Sequence, residues 1–351
     1  MKIKVKSVVF AVLTLSVLLS AAFLDIPVDV NFASFTMAHK ESERISLCPG
    51  GMTFGVKYFT KGALVVGVTD IETSQGLISP SRNAGLEVKD IITGISGKKI
   101  KSAEDFKKSI TESNGSVIEI EFIRNGSAKK ASVNPVIDKN ENVYKIGLWV
   151  RDSTAGIGTI TFVNKETGEF GGLGHGICDS ETGVLLPLER GVIVDVEITD
   201  IIIGKKNAPG ELKGMFDKFR KGELSKNSEV GVFGKYDELP DKLAEPVPIG
   251  YIGELKTGRA YILTALNSKE PQQYEIEIEK IYSDTKNTKN FLIKITDEDL
   301  LSKTGGIIQG MSGSPILQDG KLVGAVTHVL VDNSSKGYGI HIENMIDGNQ
   351  E

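Results

Sequence analysis

From Lys145 to Ile346 the chain is a series of short runs in which β-branched and aromatic residues alternate with polar ones, cut by Gly, Asn and Pro turns. Ile157 to Val163, Val192 to Ile202, Glu229 to Phe233, Tyr261 to Thr264, Tyr274 to Tyr282 and Phe291 to Ile295 all read this way. Alternation with period two sends successive side chains to opposite faces, so each run offers one apolar face that has to be covered. Many short strands of this kind are accommodated by closed or paired barrels, because closure removes the exposed edges that would recruit other chains. The fold is therefore expected to be mainly β. One stretch, Gly214 to Lys221 with Met215, Phe216 and Phe219, fits a short helix or a hairpin arm equally well.

The segment from Cys48 to Ile137 has a different grammar. Ser102 is placed to cap a helix whose apolar positions Ala103, Phe106 and Ile110 follow helical spacing, and Asn114-Gly115 ends it. Just before it, Asn83-Ala84-Gly85-Leu86-Glu87-Val88-Lys89-Asp90-Ile91-Ile92 and the following Gly94-Ile95 are similar to the central signature of PDZ domains in bacterial proteases. The resemblance implies an α+β domain over residues 48–138. Thr53-Phe54-Gly55-Val56 resembles the apolar-Gly-apolar loop that binds a peptide carboxylate, with Val56 to Phe59 as the strand that pairs with the ligand. Met52, Thr53, Phe54, Gly55 and Val56 are thus the expected groove residues. An extended peptide would add there by β-augmentation. Ile91, Ile92, Ile95 and Phe106 are expected to fill the core instead.

At the N-terminus, Lys2, Lys4 and Lys6 precede an uncharged, mostly apolar run from Ser7 to Leu24. Residues 1–24 suit a signal peptide, with Ser20-Ala21-Ala22 as small residues for cleavage, or an uncleaved membrane anchor. Basic residues ahead of the run predict a cytoplasmic N-terminus and an exported, membrane-associated remainder, joined through a linker over 25–47. The formal net charge is −5 with both signs interspersed, so no basic stripe is available for a nucleic acid. Cys48 and Cys178 are read as unpaired thiols, and neither has the clustered partners a zinc site needs. No metal and no cofactor are expected.

Gly310-Met311-Ser312-Gly313-Ser314-Pro315 is a Gly-x-Ser-Gly-x-Pro turn. Glycine at 310 and 313 permits backbone conformations that a Cβ forbids, so the N–H groups of Gly310 and Ser312 can turn toward one point. Such a pair of donors is what a tetrahedral oxyanion needs, and a serine hydroxyl beside it needs an imidazole to take its proton. Of the four histidines, His39 falls in the linker, His328 in the apolar run Leu322 to Leu330, and His341 near the C-terminus. His175 sits among glycines in Phe170-Gly171-Gly172-Leu173-Gly174-His175-Gly176. It is the expected base. For the acid that orients it, Asp179, Asp195, Asp200, Asp284, Asp297 and Asp299 remain open on residue chemistry alone.

Lys294-Ile295-Thr296-Asp297, the run Lys303 to Pro315, Leu148 to Thr159, and Gly172-Leu173-Gly174-His175-Gly176 resemble the stage IV sporulation protein B peptidases of endospore-forming bacteria. The resemblance implies a trypsin-like β-barrel peptidase over 145–346, with His175 as base, Asp297 as orienting acid and Ser312 as nucleophile. Asp299, two residues on, is the alternative acid. By analogy with trypsin-like barrels, Val326 to His328 are candidates to line the specificity pocket. The resemblance further implies a signalling protease in the space between the two forespore membranes. Its partners would be its own N-terminal linker, which it cleaves, and a membrane-bound regulator of a processing protease, whose cleavage triggers late sigma-factor processing. Two alternatives use the same residues: a catalytically silent, peptide-tethering PDZ protein, and a serine esterase or acyltransferase. The esterase reading lacks the Gly-x-Ser-x-Gly elbow.

Overall fold

The computed structural model describes residues 44–267, 270–283 and 288–350. The N-terminal segment, the linker up to residue 43 and Asp284 lie outside the described residues. Among the described residues no helix is long and apolar enough to cross a membrane. The first half of the fold contains β1 (Ser46–Pro49), β2 (Thr53–Val68), β3 (Ile91–Ile95), α1 (Ala103–Glu112), β4 (Ile118–Arg124) and β5 (Ser127–Val133). It continues through β6 (Leu148–Val163), β7 (Glu169–Gly172), β8 (Leu188–Ile202), β9 (Glu211–Ser228) and β10 (Gly231–Tyr236). Strands β6, β7, β10, β9, β8 and β2 pair in that order, all antiparallel, and β6 pairs back onto β2. A ring of six strands results, filled by Phe54, Val56, Tyr58, Ile160, Phe170, Ile193 and Leu224.

The second half forms another six-stranded barrel from β11 (Gly258–Thr264), β12 (Gln272–Ile281), β13 (Phe291–Ile295), β14 (Pro315–Gln318), β15 (Lys321–Leu330) and β16 (Asn333–His341). Helix α2 (Glu298–Thr304) precedes β14, and α3 (Ile342–Gln350) ends the fold. Alternation dictates the interior: Ile276, Ile278, Ile293 and Ile295 point inward and are fully buried. At Asp319-Gly320 both residues have positive φ (51° and 75°), the backbone that a tight two-residue hairpin requires. The two barrels pack through Leu47, Phe162 and Phe233 of one and Leu322, Ala325 and Ile340 of the other, with Ile342 and Met345 of α3 between them. The stretch Gly214 to Lys221 is a hairpin arm, part of β9, not a helix.

Strands β2 and β6 each serve two layers. The first half of β2 lies in the first barrel, while its second half carries β3, β4 and β5 as a small sheet covered by α1. Ser102 caps α1 as the sequence predicts, its hydroxyl accepting from the Asp105 N–H at 3.0 Å. Phe106 and Ile110 of α1, with Ile92, Ile95, Ile120 and Phe122, form that sheet's core.

Candidate active site

Ser312 lies in the turn between α2 and β14, and the backbone of that turn is almost completely accounted for. Gly310 and Gly313 both have positive φ (100° and 96°). A Cβ on Gly313 would lie 2.0 Å from the Thr159 carbonyl oxygen and 2.5 Å from the Leu173 nitrogen, so only glycine fits between the barrels there. The Gln309 carbonyl accepts from the Leu212 N–H at 2.9 Å, and the Gly310 carbonyl from the Thr159 hydroxyl at 2.7 Å. The Met311 carbonyl accepts from both the N–H (2.9 Å) and the hydroxyl (2.7 Å) of Ser314. The Ser312 carbonyl accepts from the Thr159 N–H at 2.9 Å, and the Gly313 carbonyl from the Thr161 hydroxyl at 2.8 Å. Among the described residues, the N–H groups of Gly310 and Ser312 have no acceptor.

His175 reaches this turn from the other barrel. Leu173 and Gly174 are both left-handed (φ 66° and 68°), which swings the chain out of β7. A Cβ on Gly174 would stand 2.9 Å from the Thr327 Cγ2 of β15. His175 and Ser312 then line one cavity of about 350 Å³, with Gly310, Gln309, Val56, the β6 segment Thr154–Ile157, and Cys178. The His175 ring is half-buried, 5.1 Å from the ring of His328 between centroids. Burial holds its pKa below the usual histidine value, and a hydrogen bond to the Gly176 carbonyl opposes this only in part. His328, also desolvated and facing His175 and Lys289, is pushed down to about 4. Both imidazoles are neutral near pH 7. The residues lining the cavity supply a neutral imidazole, a hydroxyl and two N–H groups without an acceptor among the described residues, the components of acyl transfer.

These groups are gathered but not yet bonded to each other. The Ser312 hydroxyl donates to the Thr327 carbonyl at 2.9 Å, and His175 Nδ1 lies 2.9 Å from the Gly176 carbonyl oxygen. Of the Val326–His328 set, Val326 is buried in the second barrel's core and Thr327 is buried with it. Of the three, His328 is the one whose ring lies beside that of His175.

The structure does not bring Asp297 to His175. Asp297 is the N-cap of α2: its carboxylate accepts from the Leu300 N–H at 3.0 Å and the Glu275 N–H at 3.3 Å. Asp299 pairs with Lys303 on the helix surface, and Asp179 is fully buried against Arg151 and the Thr182 hydroxyl. Among the described residues no carboxylate is hydrogen-bonded to His175. The capping role was legible in Thr296-Asp297-Glu298-Asp299 ahead of an apolar pair, the usual start of a helix. Asp297→Ala should lower the unfolding free energy by about 1 kcal/mol through the lost cap, whereas Asp297→Asn, which still caps, should leave it nearly unchanged. Thermal unfolding of both variants checks this. A loss of activity in the Asn variant at unchanged stability would give Asp297 a direct part in orienting the base.

The groove expected at Met52–Val56 is not there. Gly55 and Val56 are paired on both edges, to Ile157 and Gly156 of β6 and to Val194 and Ile193 of β8, so they have no free edge for a peptide. Met52, Thr53 and Phe54 instead line a cleft under the β8–β9 arm with Asp195, Phe219 and Tyr236. The open groove lies between α1 and the start of β6. It holds about 360 Å³ and is lined by Phe106, Ile110, Ile146, Leu148 and Val150. Among the described residues, Leu148–Arg151 pair on one edge, with β2. Gly147 enters this strand at φ 77°, in a second apolar-Gly-apolar string, Ile146-Gly147-Leu148. The Asp152 carboxylate accepts from the Ala103 N–H at 2.8 Å, fixing the far end of α1 to the same strand.

Residues 142–346, more than half of the chain, match the SpoIVB peptidase S55 family, and residues 50–134 match the PDZ domain. No curated protein matches the chain. Among solved structures, the PDZ domain of the SdrC-like protein from Listeria monocytogenes is 20% identical over 26% of this chain and 87% of its own, with a TM-score of 0.21. The Rv3671c protease of M. tuberculosis in its active form is 14% identical over 56% of this chain and 74% of its own (TM-score 0.33). The HtrA-type protease AlgW with a tripeptide is 13% identical over 56% of this chain and 55% of its own, so the chain spans little more than half of that protein (TM-score 0.34). With two β-barrels, a serine and a histidine on one cavity, and a family match over residues 142–346, this chain belongs to the SpoIVB peptidase S55 family and is a serine endopeptidase carrying a PDZ domain.

Proposed function

We propose that Ser312 is the nucleophile of this endopeptidase and His175 its base. The observation that carries the reading is that two distant segments, one from each barrel, meet in a single cavity beside two N–H groups that have no acceptor among the described residues. As a peptide carbonyl enters, the Ser312 hydroxyl turns from the Thr327 carbonyl toward His175, which removes its proton as Oγ attacks. The N–H groups of Gly310 and Ser312 hold the oxyanion, the leaving amine takes the proton from His175, and water hydrolyses the acyl-enzyme. A fluorophosphonate tests this directly: it should add to the full-length protein once, at Ser312, as read by peptide mass, and labelling elsewhere or not at all would refute the assignment.

The general base must be neutral, and burial disfavours its charged form. Activity is therefore lost as pH falls through a value below the usual 6.5 for histidine. A profile of kcat/KM against pH should show its acid limb centred below 6.5, while a centre at or above 6.5 would mean that another group is the base.

The PDZ groove takes an extended peptide along Leu148–Arg151, its carboxylate at the turn through Gly147. The finer biological role is supported by the sequence resemblance: an exported, membrane-associated signalling protease between the two forespore membranes. There it would cut its own linker over 25–47 and a membrane-bound regulator of a processing protease, triggering late sigma-factor processing. The basic and then apolar N-terminal segment suits that placement.

A further inference from the structure

The nucleophile turn has its hydrogen bonds distributed in an uneven way that points to two more functional residues. In a trans peptide the N–H of one residue and the carbonyl of the preceding residue point in opposite directions, so fixing the carbonyl aims the N–H. The Ser312 N–H belongs to the peptide whose carbonyl is Met311, and that oxygen is held twice by one residue, through the N–H and the hydroxyl of Ser314. Thr159 holds the carbonyls on both sides of this peptide, Gly310 through its hydroxyl and Ser312 through its N–H. Both side chains are fully buried, so no solvent competes for their hydroxyls. The three carbonyls are tied down while the catalytic hydroxyl and imidazole are bonded elsewhere, so the Ser312 donor is set before the base engages; the peptide of the Gly310 donor is held separately, by the Leu212 N–H on the Gln309 carbonyl.

We propose that Ser314 and Thr159 are positioning residues: Ser314 aims the Ser312 oxyanion donor through the Met311 carbonyl, and Thr159 braces the peptides on either side of it. This rests on the reading of Gly310 and Ser312 as the oxyanion donors. Thr159 belongs to the His175 barrel and its two bonds cross to the Ser312 turn, so it also sets the register between base and nucleophile. A flip of the Met311–Ser312 peptide would turn a carbonyl toward the substrate oxygen, and the doubled bond to Ser314 opposes that flip.

The test compares Ser314→Ala, Thr159→Val and Thr159→Ser with the wild type and Ser312→Ala, all as full-length protein. p-Nitrophenyl acetate serves as acyl donor and phenylboronic acid as a tetrahedral adduct former. Removing a supporting hydroxyl should lower kcat by roughly 10- to 100-fold, less than or about equal to the loss of an oxyanion donor itself. KM should stay within about twofold, because only an interaction made in the transition state is lost. Boronate affinity should fall by the same factor as kcat, and Thr159→Ser should restore both. A merely structural role would lower the melting temperature and leave kcat and boronate affinity of the folded protein unchanged. Ser314→Ala, nearly isosteric, decides the matter even if Thr159→Val does not fold. A kcat for Ser314→Ala within about threefold of wild type overturns the proposal while leaving the catalytic assignment intact. If Ser312→Ala hydrolyses as fast as wild type, the assignment itself fails, and the proposal with it.

Discussion

Replacing Ser312 with alanine should lower kcat/KM for peptide hydrolysis by about 10³- to 10⁶-fold, the range seen when a serine nucleophile is removed and only binding and oxyanion stabilisation remain. Among the described residues the side chain makes one hydrogen bond, to the Thr327 carbonyl, so its loss should cost no more than about 1 kcal/mol of stability. His175→Ala should be impaired to a similar degree. The double variant should be hardly worse than either single one, because base and nucleophile act as a unit. Steady-state kinetics of the three variants, with melting temperatures alongside, checks all of this. Additive losses in the double variant would show that the two residues work independently.

Gly313→Ala should be among the most destabilising single substitutions in the protein, by about 3–5 kcal/mol. Two effects combine. The position has a φ of 96°, which an L side chain rarely adopts, and its Cβ would lie 2.0 Å from the Thr159 carbonyl oxygen. That neighbour is backbone in the centre of a barrel strand and has no room to yield. Gly320→Ala is the control: it too has a positive φ, 75°, but nothing lies within 4 Å of the added Cβ. It should cost only the strain of the left-handed conformation, about 1–2 kcal/mol. Denaturant unfolding of the two variants separates clash from strain. Equal losses would mean that the turn at Gly313 can move away from β6, and the clamp on the Ser312 turn would then be looser than the hydrogen bonds imply.

Local chemistry accounts for the elements that the sequence located. Phe291 to Ile295 is a strand with those bounds, and Tyr274 to Tyr282 and Tyr261 to Thr264 lie within a residue or a few of the observed strands. In each, alternation and flanking turn residues agree. The Ser102 cap and the Asp319-Gly320 hairpin are likewise decided by side chains acting on their own backbone. The serine turn and His175 were legible for a related reason: glycines flank them because the backbone there must take conformations that other residues avoid.

What lay beyond the sequence involves partners far away along the chain. The string Phe54-Gly55-Val56 and the string Ile146-Gly147-Leu148 read alike, and only the pairing of β2 with both β6 and β8 shows that the first is closed and the second open. Asp297 carries both the pattern of a helix cap and a resemblance to a triad acid. In the folded chain its carboxylate is occupied by the N–H groups of Leu300 and Glu275. Thr159 and Ser314 fall within family-like runs, yet nothing in those runs marked their hydroxyls, since buried hydroxyls acquire meaning only from the carbonyls that the fold sets before them. By itself the sequence determined the β class, the turns, the capped helix and which serine and histidine stand on specialised backbone, because these depend on each residue and its near neighbours. Which edge stays open, what a carboxylate touches and which N–H groups are left without an acceptor among the described residues were decided by tertiary structure alone, because strand pairing and barrel packing join residues that no local pattern connects.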